Sequence, residues 1–497
     1  MSKASDASPE LPQLGVGITY STAIEPLLER RPELFQVLEV EPQTTWIKTP
    51  GAARRYRIDE GFLDHLARLP GRKLVHSVGT PVGGTVRPET AQLELLRTTI
   101  EVVDSPWASD HLSFNQTPEF ATGFFLPPRQ TPDGVRTVTI AIQDLMAALP
   151  VPIAVETGVN YLQPRPEELP DGAFVAQVVE TANCGLLLDL HNVFANGLNG
   201  RQPIDQYLEQ LPLERVWEIH LAGGMELDGF WLDAHSGAIP DPLYELAEQL
   251  IPRLPNLSAI VFEIFPSFVP LVGLDLVREQ MERLQALWSM RAQPRRAPPD
   301  RPPILRLEPS GMEEASAEAW ERALGSLVIG RTTGDRLALE LEQDPGVKVV
   351  EGLIHEFRAS MIVGVLRLTS RLLMLALGPD AFRVLLADYW SKFPPQMYAS
   401  LEADVFAQYL EALRLEVPQL AKILEFERAV TATLSDGRTR IVQFDFEPIP
   451  LLRALAEGRL PDEPARPGSY EIELTPDGPA AATGIDIEAI QQAFPYH

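Results

Sequence analysis

The sequence predicts a (β/α)8 barrel with a metal site at the carboxyl ends of its strands. Eight short apolar runs recur within the first 292 residues, helical patterns separate them, and most of the runs close on a histidine or an acidic residue. Active sites of such barrels lie at the carboxyl ends of the strands. Residue types that bind metals at these positions therefore indicate a functional site.

The eight apolar runs are the predicted strands of the barrel. Their ranges are 14–20, 37–41, 73–79, 107–113, 153–157, 185–191, 216–222 and 259–265. The first run ends without an acid or an imidazole, and the others close on Glu39 or Glu41, His76, His111, Glu156, Asp189, His220 and Glu263. From the third run onward, all six closing residues are good ligands for a metal ion.

The segments between the runs carry the pattern of helices that cover a sheet. In ETAQLELLRTTIEVV, for example, apolar residues recur at spacings of three and four. Eight units of strand and helix over about 290 residues match the length that is typical of this barrel. A doubly wound open sheet is the alternative, but its GxGxxG pattern is absent after the first strand.

The chain of 497 residues is too long for one compact core. We predict a disordered lead-in at 1–13 and a barrel at 14–292. A proline-rich stretch at 293–311 predicts an extended linker. The segment 312–497 shows helical patterns without alternating strands, which predicts an α-rich second domain. A small β-hairpin is expected in it, with its turn at Asp436 and Gly437.

Composition and charge exclude several functions. The formal net charge of -27 repels polyanions, so nucleic acids and anionic membranes are poor partners. The single cysteine, Cys184, excludes an internal disulfide and a thiolate metal cluster. The N-terminus lacks the apolar segment of a signal peptide, so a cytoplasmic location is predicted. Arg367 and Arg371 interrupt the most apolar segment, which we interpret as a core helix.

Histidines and acids gather around the predicted strand ends. The nine candidate metal ligands are His76, His111, Glu156, Asp189, His191, His220, Asp233, His235 and Glu263. Converging imidazole and carboxylate groups suit a cation of the iron, manganese or zinc type. Nine donors are more than one ion accepts, so two or three metals that share bridging carboxylates are predicted. Glu156 is the expected bridge.

Two Asp-x-His pairs sharpen this prediction. Asp189 and His191 are two residues apart on the predicted sixth strand, so both side chains are expected on the same face. Asp233 and His235 repeat the spacing in the loop after the seventh strand, within reach of His220.

Other polar residues near the strand ends are expected in supporting roles. Asp110 and Asn192 adjoin ligands in sequence and therefore point elsewhere, so we expect them to orient a histidine from behind. Glu39 and Glu41 are equally consistent with salt bridges inside the barrel and with a functional role.

The motifs together resemble those of the multinuclear non-haem iron-dependent oxidases, which are barrels related in architecture to xylose isomerase. The resemblance covers about residues 14–270 and rests on HSVG at 76–79, SDHLS at 109–113, AVETGVNYL, LLLDLHN at 186–192, IHLAGG at 219–224, DAHSG at 233–237 and VFEIF. It implies two or three iron ions and the use of dioxygen to modify a peptide, typically at cysteine, in the biosynthesis of ribosomally synthesised natural products.

The resemblance also implies the iron ligands, which are His76, His111, Glu156, Asp189, His220, Asp233, His235 and Glu263. The chain departs from the family pattern in two places. Peptide-modifying members commonly have Glu-Asn after strand five and Asp-x-Asn-Asn after strand six, whereas this chain has Glu-Thr at 156–157 and Asp-Leu-His-Asn at 189–192. His191 therefore stands where an amide is usual, and the metal count and the particular reaction stay open.

The second domain resembles the partner proteins encoded beside such oxidases, in LLADYWSKFPPQMYASLEADVFAQYLEAL and in VPQLAKILEFERAV. This resemblance implies that the domain contacts the barrel and presents the peptide to it. Two other functions are alternatives. One is a redox-neutral isomerase or hydrolase that uses divalent ions as Lewis acids, and the other is a peptide-binding scaffold with a structural metal. Whether the barrel forms a homodimer is left open by the sequence.

Overall fold

The computed structural model describes residues 11–48, 56–291, 316–331, 334–463 and 465–483. The predicted linker at 293–311 and most of the predicted lead-in lie outside the described residues. The described part comprises a parallel barrel, followed by a mostly helical region with a small antiparallel sheet. The fold class predicted from the sequence is confirmed.

Eight parallel strands close the barrel. They are β1 Gly15–Thr19, β2 Val37–Val40, β3 Arg72–Ser77, β4 Ala108–His111, β5 Ile153–Glu156, β6 Gly185–Asp189, β7 Val216–Ala222 and β8 Ala259–Glu263. Each strand pairs with its neighbours in sequence, and β1 pairs with β8 to complete the closure. All begin and end within two residues of the predicted ranges. Since the strands are parallel, their carboxyl ends meet at one rim, where side chains from distant parts of the chain come together.

The strands are buried because both of their faces are covered. Every residue of β6 and β8 is buried, as expected where the barrel interior lies on one side and helices on the other. Gly17 in β1 approaches β2 so closely that a Cβ atom there would lie 2.3 Å from the carbonyl oxygen of Val37. The helices of this part are Glu25–Arg30, Glu60–Arg68, Thr90–Val103, Pro132–Ala148, Asp171–Ala182, Leu190–Leu198, Ile204–Gln210, Asp241–Leu250, Val269–Val272 and Leu274–Ser289.

Three two-stranded antiparallel ribbons extend from the loops of the barrel. They pair Trp46–Lys48 with Tyr56–Ile58, Phe114–Gln116 with Ala121–Leu126, and Met225–Leu227 with Phe230–Leu232. Each follows the carboxyl end of a barrel strand, namely β2, β4 and β7 in turn. The ribbons therefore build the walls around the rim where the candidate ligands lie. Their strands, some of only three residues, are too short to be predicted from the sequence pattern.

The C-terminal region consists mainly of helices. They are Ala317–Val328, Arg336–Leu341, Pro345–Val365, Arg367–Leu377, Pro379–Lys392, Ala399–Leu413, Leu420–Asp436 and Pro448–Ala456. Three antiparallel strands, β9 Arg440–Phe446, β10 Pro467–Thr475 and β11 Gly478–Thr483, form a sheet in this order. A small antiparallel element was predicted, and it is present.

The predicted position of the hairpin is wrong. Asp436 is the last residue of the helix Leu420–Asp436, and Gly437 caps that helix with a φ of 70°. A left-handed glycine after a helix satisfies the last carbonyl groups, so the same Asp-Gly pair that suits a tight turn here ends a helix. The strand β9 follows, and it pairs with β10 rather than with the residues before Asp436.

The most apolar segment does not form one continuous core helix as predicted. The chain breaks at Leu366, and the helices Pro345–Val365 and Arg367–Leu377 meet at 108°. The carboxylate of Glu427 accepts hydrogen bonds from two backbone N–H groups in the first turn of the second helix. These N–H groups have no partner within the helix, so Glu427 stabilises the beginning of the helix Arg367–Leu377. Within the described ranges, no single helix is long and apolar enough to cross a membrane. The bent pair of helices meets that criterion only when the two are taken together, and only by length and composition.

Residues of the helical region contact loops of the barrel. Trp320 donates a hydrogen bond from Nε1 to the carbonyl oxygen of Pro127, 3.0 Å away. The carboxylate of Glu321 accepts a hydrogen bond from the backbone N–H of Thr85 at 2.8 Å. Side chains from both regions also share one hydrophobic cluster, including Phe114, Leu126, Tyr161, Trp320, Leu324 and Val347.

Candidate metal centre

The candidate metal centre lies at the carboxyl ends of strands β3 to β8. Four of its side chains belong to the last residue of a strand: His111, Glu156, Asp189 and Glu263. Ligand atoms within 4.8 Å of one another form four groups among the described residues. Three of them make up the centre, which are His76, His111 and Glu156; Glu156, Asp189, His220 and Glu263; and Asp189, Asp233 and His235. The fourth, Glu39, Glu218 and His220, lies beneath them. Glu156 and Asp189 each belong to two groups. Each of these two carboxylates therefore lies within reach of the ligand atoms of two groups.

The first group joins two imidazoles to one carboxylate oxygen. Nε2 of His76 and Nε2 of His111 lie 3.2 Å and 3.0 Å from Oε2 of Glu156. On the far side of its ring, His111 has Nδ1 3.2 Å from the carbonyl oxygen of Ser77. A carbonyl only accepts, so this contact places the proton on Nδ1 and leaves the lone pair of Nε2 directed at the group. His76 is held from behind by the hydroxyl of Ser109, 2.9 Å from Nδ1.

The second group surrounds His220, which is fully buried. Nδ1 of His220 lies 3.4 Å from Oε1 of Glu156 and 3.1 Å from Oε2 of Glu263. Its other nitrogen, Nε2, is 3.0 Å from the carboxylate of Glu39. Because a carboxylate accepts, Nε2 carries a proton, and in the neutral imidazole Nδ1 would then offer its lone pair to the group. Glu156 thus uses one oxygen for each of the two groups that it bridges.

The third group is built from the loop that follows β7. Oδ1 of Asp233 lies 2.8 Å from Nε2 of His235, and that nitrogen is 3.4 Å from Oε2 of Glu263. His235 has a φ of 43°, a left-handed conformation that is uncommon for residues other than glycine. Such strain persists only where the surrounding structure holds the residue, and it is frequent at functional sites. Asp233 and His235, the pair predicted from its Asp-x-His spacing, therefore lie at the centre, where His235 contacts Glu263.

The donor atoms of this centre fit metal ions. Six of them are buried without a hydrogen-bond partner: Glu156 Oε2, Asp189 Oδ2, His220 Nδ1, Asp233 Oδ1, His235 Nε2 and Glu263 Oε2. A buried polar atom without a partner costs about 1–3 kcal/mol, and more if it is charged. Six such atoms facing one another are explained if cations occupy the space between them, because each ion would satisfy several donors at once.

The pKa values of His76 and Asp189 are raised, so both side chains favour their protonated forms when no cation is bound. Burial by itself lowers the pKa of His76, but the carboxylates of Glu156 and Glu39 outweigh it and raise the pKa to about 10. Burial raises the pKa of Asp189 well above its usual range, and the carboxylate of Glu263 raises it further. Without a cation, the crowded carboxylates draw protons onto the site. Metal binding must displace these protons, since ligands bind metals in the deprotonated form.

His191 does not lie where the sequence analysis placed it. Strand β6 ends at Asp189, whose side chain caps the helix Leu190–Leu198, so His191 belongs to the first helical turn rather than to the strand. Its Nδ1 lies 3.2 Å from Oδ1 of Asp233, and its Nε2 accepts a hydrogen bond from Nε1 of Trp231 at 3.1 Å. Among the described residues, His191 belongs to none of the groups that could hold an ion.

Asp110 and Asn192 lie beside the centre, as expected, but each makes a different contact. Asp110 accepts from the backbone N–H of His111 and from the hydroxyl of Thr80, so it holds the end of β4 rather than an imidazole nitrogen. The backbone N–H of Asn192 donates to Oδ1 of Asp189 at 3.0 Å. This hydrogen bond leaves Oδ2 of Asp189 directed toward the candidate ligands.

A cavity of about 490 Å³ opens onto the centre. Its walls are mostly apolar and include two aromatic rings that lie over candidate ligands. Phe125 stacks on His111 at a centroid distance of 4.0 Å, and Phe265 lies 4.6 Å from His235. Among the described residues that line the cavity, none is lysine or arginine. The cavity therefore offers no ammonium or guanidinium group to a phosphate.

The comparison that decides the family is a family model described as "RiPP precursor modification enzyme MbnB/TglH/ChrH". It matches residues 14–275, which is more than half of the chain and contains every candidate ligand. The chain belongs to this family. The RiPP precursor modification family acts on precursors of ribosomally synthesised peptides, in agreement with the resemblance of the motifs. The match ends at residue 275, so it does not include the helical region.

Two relatives of this member of the RiPP precursor modification family match part of the chain in sequence. A UPF0276 protein of Streptomyces avermitilis is 30% identical over 234 residues, which are 45% of this chain and 47% of that protein. The chain thus spans about half the length of that relative. A UPF0276 protein of Chromobacterium violaceum is 29% identical over 233 residues, which are 45% of this chain and 82% of that protein.

Solved structures that are similar to the barrel have low sequence identity. A xylose isomerase domain protein from Planctomyces limnophilus is 15% identical with a TM-score of 0.37, and it matches 56% of this chain and 97% of its own. Endonuclease IV from Thermus thermophilus is 15% identical with a TM-score of 0.35, over 56% of this chain and 99% of its own. The barrel itself is established by its own strand order.

Two carboxylates lie beneath the centre, and the sequence did not assign a role to either. Glu39 was left undecided and Glu218 was not considered, yet both are fully buried and lie beside His220. Glu218 accepts a hydrogen bond from Nε1 of Trp107 at 3.0 Å, and its other oxygen lies 3.9 Å from Nε2 of His220. The signal for Glu218 was available, because it stands two residues before His220 on β7 and therefore points to the same side of the strand.

Proposed function

We propose that the chain is a multinuclear non-haem iron-dependent enzyme that uses dioxygen to oxidise a peptide. The observation that carries this proposal is the set of three ligand groups that share Glu156 and Asp189, with six buried donor atoms left unsatisfied. Membership of a family that modifies RiPP precursors supports the peptide as substrate. The choice of iron and of dioxygen rests on the resemblance of the motifs.

The residues available as ligands limit the metals that the centre could hold. Four imidazoles and four carboxylates without a thiolate suit iron, manganese or zinc. His76, His111 and Glu156 would hold one ion, and the groups around His220 and His235 would hold the others. Ferrous ions at these positions would supply the electrons for the activation of dioxygen and would bind a substrate thiolate or carboxylate.

The cavity would select and protect the reacting part of the peptide. Its mostly apolar walls would limit the access of water to the centre, and Phe125 stacks on the His111 ring and so restricts its plane. A site without lysine or arginine is a poor match for sugar phosphates or nucleic acid, and the net charge of -27 agrees with this. These features favour a peptide over the substrates expected of an isomerase or a phosphoesterase.

The helical region would present the peptide to this cavity. Support for this role comes from contacts between the region and loops that line the cavity. Phe357 packs edge-on against Phe124 at 6.2 Å, and Trp320 is hydrogen-bonded to the carbonyl oxygen of Pro127. Both Phe124 and Pro127 line the cavity. A peptide bound on the helical region would therefore have a short path to the metal centre.

Elemental analysis tests the metal part of the proposal. The full-length protein is purified under nitrogen, loaded with ferrous iron and freed of unbound metal. We expect two or three iron ions per chain. Zinc bound in preference to iron, with full activity in the zinc form, would contradict the iron proposal and favour the redox-neutral alternative.

Dependence on dioxygen tests the reaction. The protein is co-expressed with each short peptide encoded beside its gene, and the peptides are examined by mass spectrometry. We expect a mass change in one peptide, and with purified components the change should require dioxygen. Equal conversion under nitrogen would exclude an oxidase. A bound metal without any peptide modification would favour the scaffold alternative.

Glu39 is predicted to support metal binding through His220. Glu39→Gln removes the carboxylate that holds the proton on Nε2 of His220, so the lone pair of Nδ1 is less firmly presented. We expect the affinity for one metal ion to fall by about 10-fold to 100-fold, as is typical when a partner behind a ligand is lost. Competition with a chromophoric chelator under nitrogen measures this. The matched control is Glu218→Gln, which should have a smaller effect, and unchanged affinity in Glu39→Gln would refute the role.

Gly346 is predicted to keep the helical region seated on the barrel. A Cβ atom at this position would lie 2.1 Å from the carbonyl oxygen of Tyr161, so Gly346→Ala must push the helix Pro345–Val365 away. We expect a higher KM for the peptide with unchanged metal content, measured by steady-state kinetics and elemental analysis. Gly352→Ala is the matched control on the same helix, since a Cβ atom there meets nothing within 4 Å. Equal KM values in the two variants would contradict a presenting role.

A further inference from the structure

An indole and an imidazole form a hydrogen bond at the edge of the candidate metal centre. Nε1 of Trp231 donates to Nε2 of His191 at 3.1 Å. The His191 side chain is fully buried and Trp231 is half-buried. On the other side of its ring, His191 has Nδ1 3.2 Å from Oδ1 of Asp233. His191 thus connects a tryptophan outside the ligand groups to a carboxylate within them.

The surrounding residues hold Trp231 in place for this contact. Asn199, at the end of the helix Leu190–Leu198, accepts from the backbone N–H of Trp231 at 2.7 Å and donates to its carbonyl oxygen at 2.9 Å. This double hydrogen bond ties the ribbon strand Phe230–Leu232 to the helix that carries His191. The backbone at residue 231 is therefore linked to the helix on which His191 lies.

Gly224 leaves the space in which the two rings meet. A Cβ atom at this position would lie 2.3 Å from Nε1 of Trp231 and 2.6 Å from Nε2 of His191. Any other residue at 224 would therefore force the hydrogen-bonded atoms apart. The close fit of backbone against both atoms is a second observation, independent of the hydrogen bond, that the contact is built into the site.

The hydrogen bond determines where His191 carries its proton. An indole N–H only donates, so Nε2 of His191 must present its lone pair and cannot be protonated. A neutral imidazole has one protonated nitrogen, which is then Nδ1. Nδ1 in this state has no lone pair for a metal ion. It faces the carboxylate of Asp233 instead, 3.2 Å from Oδ1, although neither atom is hydrogen-bonded in this structure.

We propose that Trp231 holds His191 in the tautomer that is protonated on Nδ1, so that His191 positions the carboxylate of Asp233 rather than binding a metal. The part of this inference that concerns metal binding rests on the proposed function. Oδ1 of Asp233 lies between Nδ1 of His191 and Nε2 of His235, at 3.2 Å and 2.8 Å. A donor on one side of this oxygen would fix its direction toward an ion shared with His235. His191 is thus a positioning residue.

The tautomer can be measured without any metal. The metal-free full-length protein is labelled with 15N-histidine, and correlation spectra of the ring nitrogens distinguish protonation on Nδ1 from protonation on Nε2. His191→Asn identifies the signal of His191. We expect protonation on Nδ1 in the parent protein, and loss of that preference in Trp231→Phe and in Gly224→Ala. Phe194→Leu alters the packing against Trp231 but keeps its N–H, so it is the control. Protonation on Nε2 in the parent protein would overturn the inference.

Metal affinity gives a second readout that distinguishes a positioning residue from a ligand. If His191 positions Asp233, Trp231→Phe should weaken the binding of one metal ion by about 10-fold or more and leave the others unchanged. If His191 were a ligand through Nδ1, its protonated Nε2 would oppose the indole N–H, and Trp231→Phe would leave affinity unchanged or raise it. That outcome would overturn the positioning role. A parent protein that binds no metal would refute the proposed function, while the tautomer measurement would still decide whether Trp231 controls His191.

Discussion

Replacing Glu156 with glutamine is expected to abolish turnover and to remove at least one metal ion from each chain. Glu156 directs one oxygen at His76 and His111 and the other at His220, so its loss disturbs two of the three ligand groups. Loss of a partner that merely supports a ligand costs about 10-fold to 100-fold in metal affinity or activity. A bridging ligand should therefore cost more than about 100-fold. Elemental analysis after anaerobic loading, together with the rate of peptide conversion, measures both effects.

The fold is not expected to suffer from Glu156→Gln. The substitution conserves the size and shape of the side chain, and the glutamine oxygen can still accept a hydrogen bond from a neighbouring histidine. The matched control is Glu427→Gln, which makes the same change at another buried glutamate in the helical region, far from the candidate ligands in the chain. Its carbonyl oxygen can still accept a backbone hydrogen bond at the start of the helix Arg367–Leu377. A full metal complement in Glu156→Gln would contradict the bridging position.

Replacing Arg358 with methionine is expected to destabilise the helical region by about 3–5 kcal/mol, the usual cost of removing one partner from a buried ion pair. Nε of Arg358 donates to Oε1 of Glu402 at 2.6 Å, and both side chains are almost completely buried. Arg358 also donates to the carbonyl oxygen of Phe393. Without it, the Glu402 carboxylate remains buried and uncompensated. Hydrogen exchange should show earlier opening of the helices Pro345–Val365 and Ala399–Leu413.

Two further variants separate the loss of the ion pair from a general loss of packing. Adding Glu402→Gln to Arg358→Met removes the unpaired charge but keeps an oxygen that can accept from the backbone N–H of Gln396, so much of the protection should return. Arg336→Met breaks an exposed ion pair with Glu340 and should leave exchange unchanged. If Arg358→Met exchanges as slowly as the parent protein, the buried pair contributes nothing to stability.

The barrel could be predicted because its evidence lies along the chain. A buried parallel strand needs a continuous apolar run, and a helix that covers it needs apolar residues at spacings of three and four. The positions of His111, Glu156, Asp189 and Glu263 at strand ends were visible for the same reason. Errors arose where one short motif is compatible with two structures. Asp436 and Gly437 suit a hairpin turn as well as the end of a helix, and only the pairing of β9 with β10 distinguishes them.

The position of His191 illustrates the other kind of error. Its spacing from Asp189 was interpreted with the period of a strand, but the strand ends at Asp189 and a helix begins. Two residues of difference in that boundary place His191 in the first helical turn, with Nδ1 3.2 Å from Oδ1 of Asp233. Glu39 was ambiguous for a similar reason, since the sequence does not show that its carboxylate meets Nε2 of His220 across the barrel.

The sequence alone therefore determined the class of fold and the types of candidate ligand, because burial and side-chain chemistry follow from the local sequence pattern. The contact partner of each side-chain atom was decided only by the tertiary structure. Which oxygen of Glu156 faces which histidine, and which nitrogen of His191 carries a proton, depend on contacts between residues far apart in sequence. These contacts exist only after the barrel has closed and its strand ends have met at one rim.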